Sequence, residues 1–286
     1  MRIDAASSPL LDDIRDLKHS DAKKGLVFAE GPLICERMLE SRFPVRAIFG
    51  FGGRLATFLA QHEAQLSARN IPVYELTRQV MGEVAGYDMH RGLLASADRP
   101  EPLSPAEVIN DARTVIVLEG VGDHENIGAI FRNAAGFGVD AVLFGASTAD
   151  PLYRRSVRVS MGHVLRTPFA HLGGKPTTWQ RSLDQLREAG FWIVALTPAG
   201  DAVELSGALL DPVTGVQRSK VAFLVGGEGP GLTEHAMRAA DVRAQIPMAP
   251  GTDSLNVATS AAIAFYERVR TSPEHLSGLN DGSAPR

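Results

Sequence analysis

Cysteine is almost missing from this chain: 286 residues contain a single one, Cys35. One thiol excludes an internal disulfide framework and suits a reducing compartment, so a cytoplasmic location is expected. Cys35 itself sits in "GPLICERMLE", an amphipathic helix pattern, where a small buried hydrophobe is expected rather than a nucleophile. No apolar run approaches the ~18 residues of a membrane span, and the opening "MRIDAASSPLLDDIRDLKHSDAKK" carries no apolar signal core, so no membrane association is expected. The eight histidines are scattered, His124-Glu125 has no second His four residues on, and no Cys/His cluster occurs, so no metal is expected. The P-loop pattern G-x-x-x-x-G-K-[ST] is absent, which leaves a kinase or ATPase of that type unsupported. Positive charge is not in excess either: 29 Lys and Arg face 33 Asp and Glu, for a net charge of −4. That argues only weakly against nucleic acid, because a local basic face can bind while acidic surface elsewhere balances it. Two basic clusters exist, Arg15, Lys18, Lys23, Lys24, Arg37, Arg42 and Arg46, and Arg154, Arg155, Arg158 and Arg166. Each is either such a face or ordinary solvated surface.

What is present is α/β alternation, twice. The seam is "ASADRPEPLSPAEVIND", where three prolines among charged and small residues interrupt any helix or strand pattern. Before it, "GLVFAEG", "VRAIFGF", "IPVYEL" and "MHRGLLASAD" read as strands, with helices over "PLICERMLESR" and "RLATFLAQHEAQLSARN". After it, "TVIVLEGV", "DAVLFG", "FWIVALTP", "KVAFLVGGEG" and "AQIPM" read as strands between helical segments. Runs such as "TVIVL" and "VAFLV" are apolar without alternation, as expected of parallel strands covered on both faces. The expected organisation is a small α/β domain over 1–97, a linker over 98–111, a second α/β domain over 112–272 and a polar, disordered tail over 273–286.

Glycine-rich turns mark candidate ligand sites. The match Gly136, Gly138 and Ala141 follows a helix and precedes a strand, the wrong order for a dinucleotide-binding turn. "VGGEGPGL" follows a strand and precedes a helix expected to be capped by Thr233. Its acid, Glu228, would oppose a phosphate, so a cationic or hydroxyl-bearing ligand suits it better. In "GVGDHENIGAIFRNAAGFG", Asn126 and Arg132 flank the first turns of a helix at the carboxyl end of a strand. Arg132 there is either paired with an acid at a helix edge or faces the ligand crevice of an open sheet. The final helix opens with "GTDSLNVATSAAIAFYERV", and Ser254, Asn256 and Thr252 together exceed what one helix cap requires.

Taken together, "ENIGAIFRNAAGFG", "FLVGGEGPGL" and "IPMAPGTDSLNVATSAAIAFYE" resemble, in order and spacing, the three motifs of the SpoU/TrmH family of RNA ribose 2′-O-methyltransferases in the SPOUT superfamily. The resemblance spans 112–270, and the basic segment "ADPLYRRSVRVSMGHVLRTPF" is similar to the family's arginine/serine linker. "GLVFAEGPLICERMLE" and "MHRGLLA" make 1–97 resemble the small L30e-like domain that many members carry and use to bind RNA. The resemblance implies a deep trefoil knot in the second domain, a homodimer, and S-adenosylmethionine held near Leu196, Thr197, Gly226, Gly229, Ile246, Met248 and Leu255. It also implies a polar catalytic set of Asn126, Arg132, Glu228, Ser254 and Asn256, with tRNA or 23S rRNA as substrate. Two positions depart from the family pattern. Gly227 stands where many members have Asn or Ser, and Ala249-Pro250 replaces a common glycine. The implied role of Arg132 is activation of the 2′-hydroxyl. A guanidinium is a poor base, so stabilisation of the developing alkoxide is favoured, with true base catalysis left open. A non-catalytic RNA-binding protein that kept the fold is the alternative.

Overall fold

The computed structural model describes residues 1–20 and 23–270. The tail expected over 273–286 lies outside the described residues. The chain divides into two compact units, Met1–Glu101 with Asp150–Arg166, and Pro102–Ala149 with the described residues from Thr167 on.

The first unit is built on a four-stranded sheet of β1 (Leu26–Glu30), β2 (Val45–Gly50), β3 (Val73–Glu75) and β4 (Leu93–Asp98), in the order β1-β4-β2-β3. β4 runs antiparallel to both neighbours and β2 runs parallel to β3. Pro32 opens the helix Pro32–Leu39, where its missing N–H costs nothing. On that helix Cys35 is fully buried, its thiol donating to the Ala29 carbonyl at 3.3 Å, and burial pushes the thiol far above its ordinary pKa. The helix Arg78–Ala85 was not expected from the apolar pattern. Its terminal signals are nonetheless regular: Thr77 accepts the Val80 N–H, and Gly86 takes the left-handed conformation that ends it. Asp150–Arg166 was expected within a continuous second domain, 112–272. It packs instead with this unit, because Arg154 pairs with buried Glu30 at 2.6 Å and Arg37 donates to the Met161 carbonyl at 2.6 Å.

The second unit holds seven strands: β5 (Thr114–Glu119), β6 (Ala141–Phe144), β7 (Phe169–His171), β8 (Trp192–Leu196), β9 (Val203–Glu204), β10 (Val221–Gly226) and β11 (Val242–Gln245). Their order is β7-β6-β5-β10-β8-β11-β9, and every pairing is parallel. β5 is buried along its whole length, which explains the unbroken apolar run of its sequence. One face of the sheet packs Val115, Val117, Ala222, Leu224 and Ile193 against Trp179, Leu183, Leu186 and Phe191. On β10, Phe223 meets Phe265 of the last helix, Val257–Arg270, with ring centroids 6.1 Å apart. That helix also lies against the helix His124–Gly136. Ala258, Ala261 and Ala264 are all buried, so small side chains let this helix pack closely. Arg268 fastens its far end by donating to the Arg218 and Ser219 carbonyls at 2.6 and 2.8 Å.

The strand order has one consequence for the site. β5 leads outward through β6 to β7, whereas β10 lies between β5 and β8, so β5 and β10 are neighbours whose connections leave in opposite directions. A crevice opens at the carboxyl ends of two such strands.

Candidate active site at the carboxyl ends of the central strands

Three turns meet at this crevice. After β5 the chain turns through Gly120 (φ 65°), and Asp123 caps the helix His124–Gly136 by accepting the Glu125 N–H at 2.8 Å. That places Asn126 in the first helical turn, only 7% exposed. After β10 the Gly227 N–H donates to the Glu119 carbonyl at 2.8 Å and the Gly231 N–H to the Gly227 carbonyl at 3.1 Å. Gly229 and Gly231 take φ of 89° and 66°, a left-handed conformation that other residues adopt only with strain. Glu228 stands at the tip of this turn. The third turn follows β11, bends at Gly251 (φ 85°), and ends at Asn256. The Asn256 side-chain oxygen accepts the Ala258 and Thr259 N–H groups at 2.9 and 3.2 Å, which makes it the cap of the last helix.

The three polar side chains form a closed ring. Asn126 Nδ2 donates to Glu228 Oε1 at 2.8 Å. Asn256 Nδ2 donates to Asn126 Oδ1 at 2.8 Å and to Glu228 Oε1 at 3.2 Å. Asn256 therefore both caps and bonds: its oxygen serves the helix while its nitrogen serves the site. Glu228 is exposed, and its second oxygen accepts no bond among the described residues. Asn133, which sequence reasoning passed over, adds a further tie by donating to the Ala258 carbonyl at 3.1 Å, holding the two helices that carry the ring.

Arg132 and Ser254 are not in this ring. Six residues separate Arg132 from Asn126, so at ~100° per residue the two leave the helix about 120° apart. Arg132 is exposed and has no hydrogen-bond or ion-pair partner among the described residues, so it is not the acid-paired helix-edge arginine that was one reading of it. Ser254 is likewise exposed and unbonded. Of the expected binding positions, Leu196 and Thr197 leave β8, Gly226 and Gly229 lie at and beyond the end of β10, and Ile246 and Met248 follow β11. Registers Leu224↔Ala195 and Ala244↔Leu196 bring these three strand ends to one edge of the sheet. Leu255 precedes the capping Asn256 with its side chain 36% exposed.

Gly227 is a steric necessity here. A Cβ on it would collide with the Gly120 carbonyl, and one on Gly226 would collide with the Gly231–Leu232 peptide. Asn or Ser at position 227 would not fit this turn. Sequence reasoning also missed Glu119, whose buried carboxylate lies directly beneath the glycine turn and accepts the Thr233 N–H at 2.8 Å. An acid ending an apolar strand was the available signal.

Both basic clusters lie in the first unit and are largely committed to local bonds. Arg46 pairs with Asp13 at 2.8 Å and Asp98 at 3.1 Å, Arg15 with Asp12 at 2.9 Å, and Arg42 donates to the Glu101 carbonyl at 2.9 Å. Lys24 donates to the Asp12 carbonyl at 2.6 Å. Lys18 and Lys23 are exposed without such partners. Among the described residues no group of His, Cys, Asp and Glu could hold a metal, and no helix is long and apolar enough to cross a membrane.

An open parallel α/β sheet with a polar ring at its switch point defines a class of ligand-binding α/β proteins in which three strand-end turns build the site. Comparison with known proteins narrows this. Residues 113–266 match the model of the SpoU rRNA Methylase family. An uncharacterized tRNA/rRNA methyltransferase of Mycobacterium tuberculosis is 52% identical over 270 residues, covering 92% of this chain and 89% of that protein. The 23S rRNA (guanosine-2′-O-)-methyltransferase RlmB of Coxiella burnetii is 30% identical, over 72% of this chain and 80% of its own. The crystal structure of an AdoMet-bound rRNA methyltransferase from Sinorhizobium meliloti superposes with a TM-score of 0.75 at 26% identity, covering 94% of this chain and 97% of that one. The chain belongs to the SpoU rRNA methylase family.

Proposed function

We propose that the protein transfers a methyl group from S-adenosylmethionine to a ribose 2′-hydroxyl of a structured tRNA or ribosomal RNA. The observation that carries this is the Asn126–Glu228–Asn256 ring, which unites the three motif turns at the carboxyl edge of β5 and β10. The turns suit the cofactor chemically. The main-chain N–H groups of Gly229 and Met248 have no acceptor among the described residues, and Glu228 offers an unengaged carboxylate oxygen to a cation. Leu196, Thr197, Gly226, Gly229, Ile246, Met248 and Leu255 would line the cofactor's seat. Bound there, S-adenosylmethionine supplies an electrophilic methyl on a positively charged sulfur.

The protein's own part is alignment and charge. Asn126 and Asn256 hold the walls of the crevice in register, and alignment of the reacting atoms lowers the barrier by several kcal/mol. Arg132, exposed and unpaired, is free to meet an incoming RNA. A guanidinium is a poor base and a strong donor, so it stabilises the alkoxide as it develops and a neighbouring phosphate, while the hydroxyl proton passes to phosphate or water. Ser254 lies two residues before Asn256 on the same turn and completes the polar wall. The second unit forms the catalytic domain in this reading, with a deep trefoil knot at the three turns, and 1–97 form an L30e-like RNA-binding domain. A cytoplasmic homodimer is its working state, the location being supported by the solitary buried Cys35.

The test is Arg132→Ala. Transfer falls ~100-fold or more, while the S-adenosylmethionine Kd by calorimetry stays within twofold. Near-wild-type turnover refutes the role of Arg132. Digestion of the product RNA to nucleosides distinguishes ribose from base methylation. A 2′-O-methylation map of RNA from cells lacking the protein identifies the target.

A further inference from the structure

One residue ties both ends of the glycine turn. Glu119, the last residue of β5, accepts the Gly227 N–H on its main-chain oxygen and the Thr233 N–H on Oε2, each at 2.8 Å. Its Oε1 accepts Trp179 Nε1 at 2.6 Å, the Thr233 hydroxyl at 2.9 Å and Gln180 Nε2 at 3.5 Å. The residue is 5% exposed and has no cationic partner among the described residues. Burying an uncompensated carboxylate is costly even when fully hydrogen-bonded, so stability of the sheet alone does not account for it. The Trp179 donor is itself held in place. The indole is completely buried, and a Cβ on Gly145 would come within 3.0 Å of it, while one on Gly174 would come within 2.7 Å of its Cα.

We infer that Glu119 is a positioning residue for methyl transfer, presetting the turn from Gly227 to Thr233 so that Glu228 and the free Gly229 N–H face the cofactor before it arrives. This rests on the function proposed above. Gly226, Gly227, Gly229 and Gly231 would otherwise let the turn wander through many conformations. Ordering such a turn at the moment of binding weakens affinity, whereas a turn already ordered does not incur that loss. Thr233 is the second half of the device. Its hydroxyl donates to Glu119 and accepts the Ala236 N–H at 3.2 Å, so the end of the turn and the start of the next helix share one atom.

Glu119→Gln tests it in the full-length protein. The substitution keeps shape but sets a new N–H donor against either Trp179 Nε1 or the Thr233 N–H, two groups that only donate. S-adenosylmethionine affinity is measured by calorimetry, RNA affinity separately, and amide exchange without cofactor at Gly227, Gly231 and Thr233, the turn amides that carry hydrogen bonds. The expected result is a Kd for S-adenosylmethionine raised tenfold or more and turn amides exchanging at least tenfold faster. RNA affinity stays within twofold, and amides of β5 and β10 remain protected. Thr233→Val, which keeps the side chain's shape and removes its hydroxyl, should shift both readouts in the same direction, and Thr233→Ser should restore them. Kd values within twofold of wild type in both E119Q and T233V overturn the inference, as does faster exchange with an unchanged Kd. A wild-type protein that takes up no S-adenosylmethionine refutes the proposed function instead.

Discussion

Asn256 performs two tasks with two atoms, and N256D separates them. The substitution keeps an oxygen where Oδ1 accepts the Ala258 and Thr259 N–H groups, and a carboxylate is a good cap at the positive end of a helix. It replaces the Nδ2 donor with a second oxygen, directed at Asn126 Oδ1, 2.8 Å away, and Glu228 Oε1, 3.2 Å away. Each lost hydrogen bond costs about 1 kcal/mol. Two like charges at this separation repel by ~1 kcal/mol at the dielectric of water, and the exposure of Asn256 and Glu228 keeps the value near that end. Glu228 can relieve the repulsion by turning to solvent, so folding stability falls by about 2 kcal/mol, the two lost hydrogen bonds, while the ring comes apart. With ~2–3 kcal/mol of prearrangement lost, kcat/KM for methyl transfer drops about 30- to 150-fold. N256A loses the cap as well and is destabilised by about a further 1 kcal/mol. Thermal denaturation and steady-state transfer assays on both variants check the separation. N256D turnover within threefold of wild type refutes the claim that the ring, rather than the cap, is what the reaction needs.

Gly227→Ala forces a Cβ to within 2.7 Å of the Gly120 carbonyl carbon, so β5 and β10 must part at their carboxyl ends. Overpacking against backbone at this point costs about 3 kcal/mol, lowering Tm by roughly 10 °C; an unchanged Tm contradicts the collision. At the turn after Leu210, the Asp211 carboxyl is held below its ordinary range by the N–H of Thr214 and then that of Val213, each 3.0 Å away. A depressed folded-state value makes this contribution complete above about pH 4 and lost as pH falls below it. Amides of Val213 and Thr214 should therefore lose protection as the pH falls below about 4, after correction for intrinsic rates. Asp211→Asn should remove that dependence, and an unchanged profile in the variant refutes it.

Much of the fold was legible because local signals agreed with each other. Pro32 at the start of a helix, the apolar runs of β5 and β10, and Thr233 before its helix all behaved as their chemistry dictates. The helix Arg78–Ala85 escaped because its apolar face is short, even though Thr77 and Gly86 marked its ends. A nucleic-acid face was one reading of the basic residues between 15 and 46, yet Arg46 answers Asp13 and Asp98, 33 and 52 residues away. Charge partners distant in sequence cannot be read from the local pattern.

The sequence by itself determined that three glycine- and asparagine-bearing turns follow strands, because strand runs, caps and left-handed turns are settled within a few residues. Through its family resemblance it also grouped Asn126, Glu228 and Asn256 in one polar set, together with Arg132 and Ser254. Only the tertiary structure decided that the first three bond to one another across 102 and 130 residues, because β10 inserts beside β5 and brings the ends of distant strands to one edge. It also decided that Gly227 has no room for a side chain and that Glu119 supports the turn from below, since both follow from which backbone lies next to which. Arg132 was left outside the ring for an equally physical reason: a helix of 3.6 residues per turn carries it away from Asn126 and out to solvent.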